Sequence, residues 1–131
     1  MTLDDLSQEG AFTAMDGIDT EIGLAICAGK TTFYRKMLSR FREHHSHFSQ
    51  EFHSTQQSGD PDANTRVAHT IKAGLMMIGA TTAQQAAHRL EILCRNGASV
   101  EEIALALEEV EIALGPVING LDRYFSNSSK K

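Results

Sequence analysis

The chain has 131 residues, 41% of them hydrophobic and 22% charged, and a net charge of −5, which suits one domain with a single core. No basic face is visible, which argues against a nucleic-acid reader. No run reaches the roughly 20 apolar residues of a membrane span. Strand-like alternation is missing, so the reading is all-α.

The opening M-T-L-D-D-L is acidic and lacks an apolar centre, so it is not read as a secretory signal. Cys27 and Cys94 stand alone, without the spacing of a metal site or a disulfide framework. A reducing cytoplasm is the simplest setting. Residues 1–14 lack periodicity and read as a tail or short docking helix. Residues 15–126 read as the folded domain and 127–131 as a polar tail.

Gly17-Ile18 suggests a turn, with Asp19 as an N-cap. A short first helix from Thr20 to about Ala28 would bury Ile22, Ala25 and Ile26, and Gly29 would end it. The run Gly29-Lys30-Thr31-Thr32 invites a phosphate-loop reading. The motif needs a glycine where Leu24 stands, and no strand precedes it, so the run reads as a cap and a helix start.

A second helix is expected from about Thr32 to Gln57, with Phe33, Met37, Phe41, Phe48 and Phe52 on one stripe and His44 projecting onto it. Glu43, His47 and Glu51 fall on one flank of that helix. A metal reading follows from their spacing, but ligands from other helices are not arranged to complete it.

Ser58-Gly59-Asp60-Pro61 breaks the chain, with Pro61 suited to a first helical turn. The next helix runs to Ile78 and stops at Gly79. Thr81 and Gln84 form a capping-box pattern before a helix from Thr82 to Arg95, with Ala83, Ala86, Ala87, Leu90 and Cys94 on one face. Ser99 and Glu102 repeat the pattern before a last helix that buries Ile103, Leu107, Val110, Leu114, Val117 and Leu121. Gly115-Pro116 should kink or break it. The glutamates at 101, 102, 108, 109 and 111 read as a solvated face.

On the Pro61–Ile78 helix, Val67, Ile71, Gly74 and Ile78 share one arc at about 100° per residue, with Ala68 and Leu75 at its edge. His69 lies on the opposite side. Lys72 follows one turn later, and Thr65, Ala73 and Met76 complete that outer face. An exposed histidine with a lysine at i+3 and small neighbours suits docking by another protein.

The run A-H-T-I-K-A-G-L-M-M-I-G-A, from Ala68 to Ala80, resembles the active-site helix of histidine-containing phosphotransfer (HPt) domains, which carry A-H-x-L-K-G and a closing G-A. The stretches G-I-D-T-E-I-G-L-A and F-Y-R-K-M-L-S-R-F resemble the opening of HPt domains at the C-terminal end of hybrid sensor kinases. Two positions depart from the pattern: Ala73 stands for the glycine after the lysine, and Met76 for a small residue. The expected fold is an all-α antiparallel four-helix bundle with a short additional N-terminal helix.

The resemblance implies His69 as phosphate carrier and Lys72 as the charge partner of the phosphoryl oxygens. Glu91, in the L-E pair that follows the His helix in many HPt domains, is implied to lie near the imidazole and orient it. Thr65, Ala73 and Met76 are assigned to docking. His88 lacks a lysine three residues later and is set aside as an acceptor.

Transfer of this kind has a loose transition state, so positioning and charge stabilisation do most of the work. The implied partners are receiver domains of response regulators, which would bring Mg²⁺. The carrier itself would need no cofactor or metal and would be a cytoplasmic monomer. No ATP-binding module is visible. A helical interaction module with an idle histidine, or a metal-binding helical protein, are the rival readings.

Overall fold

The computed structural model describes Phe12 and residues 14–129, with side chains through residue 126 except that of Pro61. Its helices are α1 (Thr20–Ile26), α2 (Thr31–His45), α3 (Phe48–Gln57), α4 (Pro61–Ile78), α5 (Thr81–Arg95) and α6 (Val100–Ser129). Among the described residues there is no strand, only an isolated bridge between Met15 and Ile18. The connections are short, so each long helix turns back along the one before it. α4, α5, α6 and the α2–α3 pair make a four-helix bundle, and α1 lies across one end.

Local chemistry explains most of the ends. The Asp19 carboxylate accepts from the backbone N–H groups of Glu21 and Ile22 and starts α1. Asp60 does the same for α4 through the N–H of Asp62. α4 stops at Gly79, whose φ of +84° is left-handed. Ser99 and Glu102 form the reciprocal capping box at the start of α6. The pattern at Thr81 and Gln84 does not. α5 begins at Thr81 itself, with Ala80 at the cap position and no side-chain cap bond.

The core is continuous across the bundle. Tyr34, Leu38, Phe41, Phe48 and Phe52 from α2 and α3 meet Ala68, Ile71, Leu75 and Ile78 of α4. α5 supplies Ala83, Ala86, Ala87, Leu90 and Cys94. α6 supplies Leu107, Val110, Leu114, Val117 and Leu121.

Several expectations are corrected. The helix from Thr32 to Gln57 is two helices, broken at Ser46-His47, where His47 leaves helical geometry with φ −115° and ψ 33°. Its buried face runs through Tyr34 and Leu38, while Phe33 is exposed and Met37 half-buried. Both stripes obey a helical period. The Tyr34 choice also lets its buried hydroxyl donate to the Ile78 carbonyl at 2.8 Å.

His44 is exposed, and its neighbour His45 turns inward against Phe41 instead. α1 buries Gly23, and its C-cap Cys27 is buried as well, while Ile22, Ala25 and Ile26 are exposed. A β-carbon at Gly23 would lie 2.5 Å from the Tyr34 ring and 2.6 Å from the Ile78 carbonyl oxygen. The helix therefore approaches by its bare face.

α6 runs unbroken through Pro116. Pro116 is exposed, so the carbonyl it leaves unpaired one turn earlier can be met by water. α6 also continues to Ser129 and takes up the first part of the proposed polar tail. The proposed tail at residues 1–14 lies outside the described residues except for Phe12 and Ala14. Phe12 is buried, with its ring 5.0 Å from that of Tyr34 and 5.9 Å from that of Tyr124.

Candidate functional site

The site is built on the facing sides of α4 and α5. Alanines at 83, 86 and 87 line the buried face of α5, and small side chains let two helix axes come close. That approach brings Glu91, at the edge of the α5 face, under the outer side of α4. The Glu91 side chain is 1% exposed, while His69 is 61% exposed and Lys72 23%. A buried carboxylate thus lies beneath an exposed imidazole.

Three cationic or ionisable groups converge on that carboxylate. His69 Nδ1 lies 2.9 Å from Glu91 Oε2. Lys72 Nζ lies 2.7 Å from Oε1; its angles fall outside those of a hydrogen bond, so that contact is ionic rather than directional. The Arg95 guanidinium, one turn after Glu91 on α5, also donates to Oε2.

Burial alone would push the Glu91 carboxyl up. The Lys72 ammonium and the His69 hydrogen bond outweigh burial and hold it below its ordinary value of 4.5. The ionised carboxylate has no proton to give, so the bond requires Nδ1–H of His69 to donate to it. The lone pair is then on Nε2, the nitrogen not engaged by Glu91.

The remaining candidates fall around this centre. Ala73 and Met76 are exposed, and Thr65 is half-buried one turn before His69. Met76 and Lys72 line a groove with Gln84, Gln85, His88 and Arg89 of α5. His88 lines that groove and, among the described residues, bonds no carboxylate.

Lys72 is partly buried and paired with Glu91. Arg95 was not singled out, although its i+4 spacing from a glutamate is a recognisable helix pairing. The metal reading on Glu43, His47 and Glu51 loses its basis, because the break at Ser46-His47 interrupts the helical register it assumed. Among the described residues no group of three His, Cys, Asp or Glu side chains is placed to hold a metal ion.

The model of the Hpt domain family matches residues 33–120, more than half of the chain, and takes in α3, α4, α5 and most of α2 and α6. The chain belongs to the Hpt domain family. Comparison with curated proteins and with solved structures found no match. Hpt domains are histidine phosphotransfer carriers of two-component phosphorelays and interact with the receiver domains of response regulators. Among the described residues no helix of this Hpt domain is long and apolar enough to cross a membrane.

Proposed function

We propose that His69 is the phosphoryl carrier of this Hpt domain, accepting the group from the aspartyl phosphate of one receiver domain and passing it to the aspartate of another. The observation that carries this reading is the exposed His69 imidazole, with its Nδ1 bonded to the buried Glu91 carboxylate. Nε2 attacks phosphorus, the N–P bond forms, and the P–O bond to the receiver aspartate breaks with release of its carboxylate. No proton leaves the ring. It becomes cationic, with Nδ1–H still donating to Glu91, which neutralises the new charge. Onward transfer reverses the step with a second aspartate carboxylate as nucleophile.

Lys72 supplies positive charge to the phosphoryl oxygens. Its flexible stem lets the ammonium swing from Glu91 to the phosphoryl group, and Arg95 stays on the carboxylate as it does so. Thr65, Ala73 and Met76 contribute to the surface on which the receiver docks, where exposed Met76 adapts to apolar groups. The receiver brings the Mg²⁺ that shields its own aspartyl phosphate. The domain acts as a cytoplasmic monomer, as the terminal module of a hybrid kinase or on its own.

The test is intact mass after incubation with a phosphorylated receiver and Mg²⁺, beside His69→Gln. The parent should gain one phosphoryl group, acid-labile and base-stable, and the variant none. Folding should be little changed, because His69 is exposed. A gain retained in His69→Gln would overturn the assignment. Receiver binding without any gain would favour a non-catalytic interaction module.

A further inference from the structure

The outer face of α6 carries an apolar ridge with no covering element among the described residues. Leu105 is 64% exposed and Ile112 68% exposed. They stand seven residues apart, two turns or about 10 Å along the helix, and within about 20° of each other around it. Exposed Pro116 continues the line. The ridge lies opposite Leu107, Val110 and Leu114, which face the core. α6 packs on α5 and α2, so the ridge is diagonally across the bundle from the His69 face of α4.

Charge says what this ridge suits. Glu101 and Glu108 are exposed and lie about 40–60° to one side of it, again seven residues apart. Among the described residues neither has an ion-pair partner. The glutamates on the other side are already engaged: Glu102 accepts in the Ser99 capping box, and Glu109 pairs with Arg89 at 2.9 Å. The free negative charge therefore runs along one flank only.

A second copy seated by the same face would set glutamate against glutamate. The chain's own segment 1–11 carries Asp4, Asp5 and Glu9 and no lysine or arginine. An anionic membrane surface would be repelled by the same flank.

We infer that the outer face of α6 docks an amphipathic helix of another protein, whose apolar residues seat on Leu105 and Ile112 and whose lysines or arginines pair with Glu101 and Glu108. The repeat of seven matches the spacing that one helix presents to another. The ridge is small, so the contact is transient or adds to a larger interface. It is independent of the phosphoryl site, and a receiver on α4 and a helix on α6 can be bound together.

The test uses a synthetic helical peptide with a leucine stripe flanked by lysines, titrated into the intact domain and followed by amide chemical shifts. Shifts should be confined to the outer side of α6. Leu105→Ser with Ile112→Ser should weaken binding about tenfold or more at unchanged net charge. Glu101→Gln with Glu108→Gln should weaken it several-fold and remove most of its salt dependence.

Thermal unfolding should stay nearly unchanged in both variants, because all four side chains are exposed, and His69→Gln should bind as the parent does. Equal binding by the serine variant would overturn the proposal. So would equal binding of a peptide with glutamates in place of the lysines, shifts centred on α4, or self-association that the serine variant abolishes.

Discussion

Two histidines on helices that pack together show how much of histidine chemistry is environment. His69 on α4 is exposed and bonds a buried carboxylate through Nδ1. His45 on α2 is turned inward, its ring 4.7 Å from that of Phe41 and beside Gly74. Its Nδ1 is buried with no hydrogen-bond partner among the described residues. Burial, with His44 nearby, pushes the pKa of His45 down to about 4. One imidazole has been given a counter-charge and an open nitrogen. The other has been made a neutral ring that fills space.

The contrast breaks most severely if Glu91 is removed. Glu91→Ala should slow phosphoryl transfer by of order 10- to 100-fold, because nothing then fixes the Nδ1–H tautomer. Glu91→Gln keeps an amide oxygen that can accept from Nδ1–H and should lose much less. Single-turnover transfer from a phosphorylated receiver measures both. Equal losses would mean that charge, not orientation, is what Glu91 supplies.

The same carboxylate has a sign in stability. Its pKa is lowered in the fold, so its contribution is present above 4.5 and is lost as pH falls through the lowered value. That low-pH loss should disappear in Glu91→Gln.

A smaller effect sharpens the other side of the comparison. Because the His45 pKa is lowered, the unfolded chain binds the proton more readily between pH 6.5 and about 4. Stability is therefore full above pH 6.5 and declines as pH falls through that window. His45→Phe should flatten this part of the profile, removing at most about 3 kcal/mol of pH dependence, as read by urea unfolding across pH. An unchanged slope would mean that the ring opens to water before it titrates.

The smallest effect is expected at Gly74, where α4 passes the His45 and Phe41 rings. A β-carbon there would meet Phe41 Cδ2 at 3.0 Å and His45 Nε2 at 3.4 Å. Alanine favours helix over glycine by about 1 kcal/mol, which offsets this crowding. Gly74→Ala should shift stability by less than about 1 kcal/mol and leave transfer unchanged. A clear loss of transfer would show that the core side of α4 reaches the phosphoryl site.

Local pattern made much of this legible. The arc of Val67, Ile71 and Ile78 turned His69 and Lys72 outward, and the caps at Asp19, Asp60, Gly79 and Ser99 set four helix ends. The pattern was silent where two answers had the same period. Phe33 with Met37 and Tyr34 with Leu38 are equally good stripes, and the second is buried because Tyr34 reaches a carbonyl on α4. Apolar Ile22 and Ile26 lost to Gly23 because close approach to Tyr34 and Ile78 requires a residue without a side chain. The break at Ser46-His47 has no Gly or Pro to announce it.

The all-α class, most helix ends and the outward His69 follow from the order of residues alone, because capping and helical periodicity act within a few positions of the chain. The burial of Glu91 does not. It depends on how closely α5 approaches α4, across 22 residues of sequence. Three cationic or ionisable groups share one buried carboxylate only after the bundle has closed. An exposed histidine is thus specified locally, while the carboxylate that sets its tautomer is specified by packing.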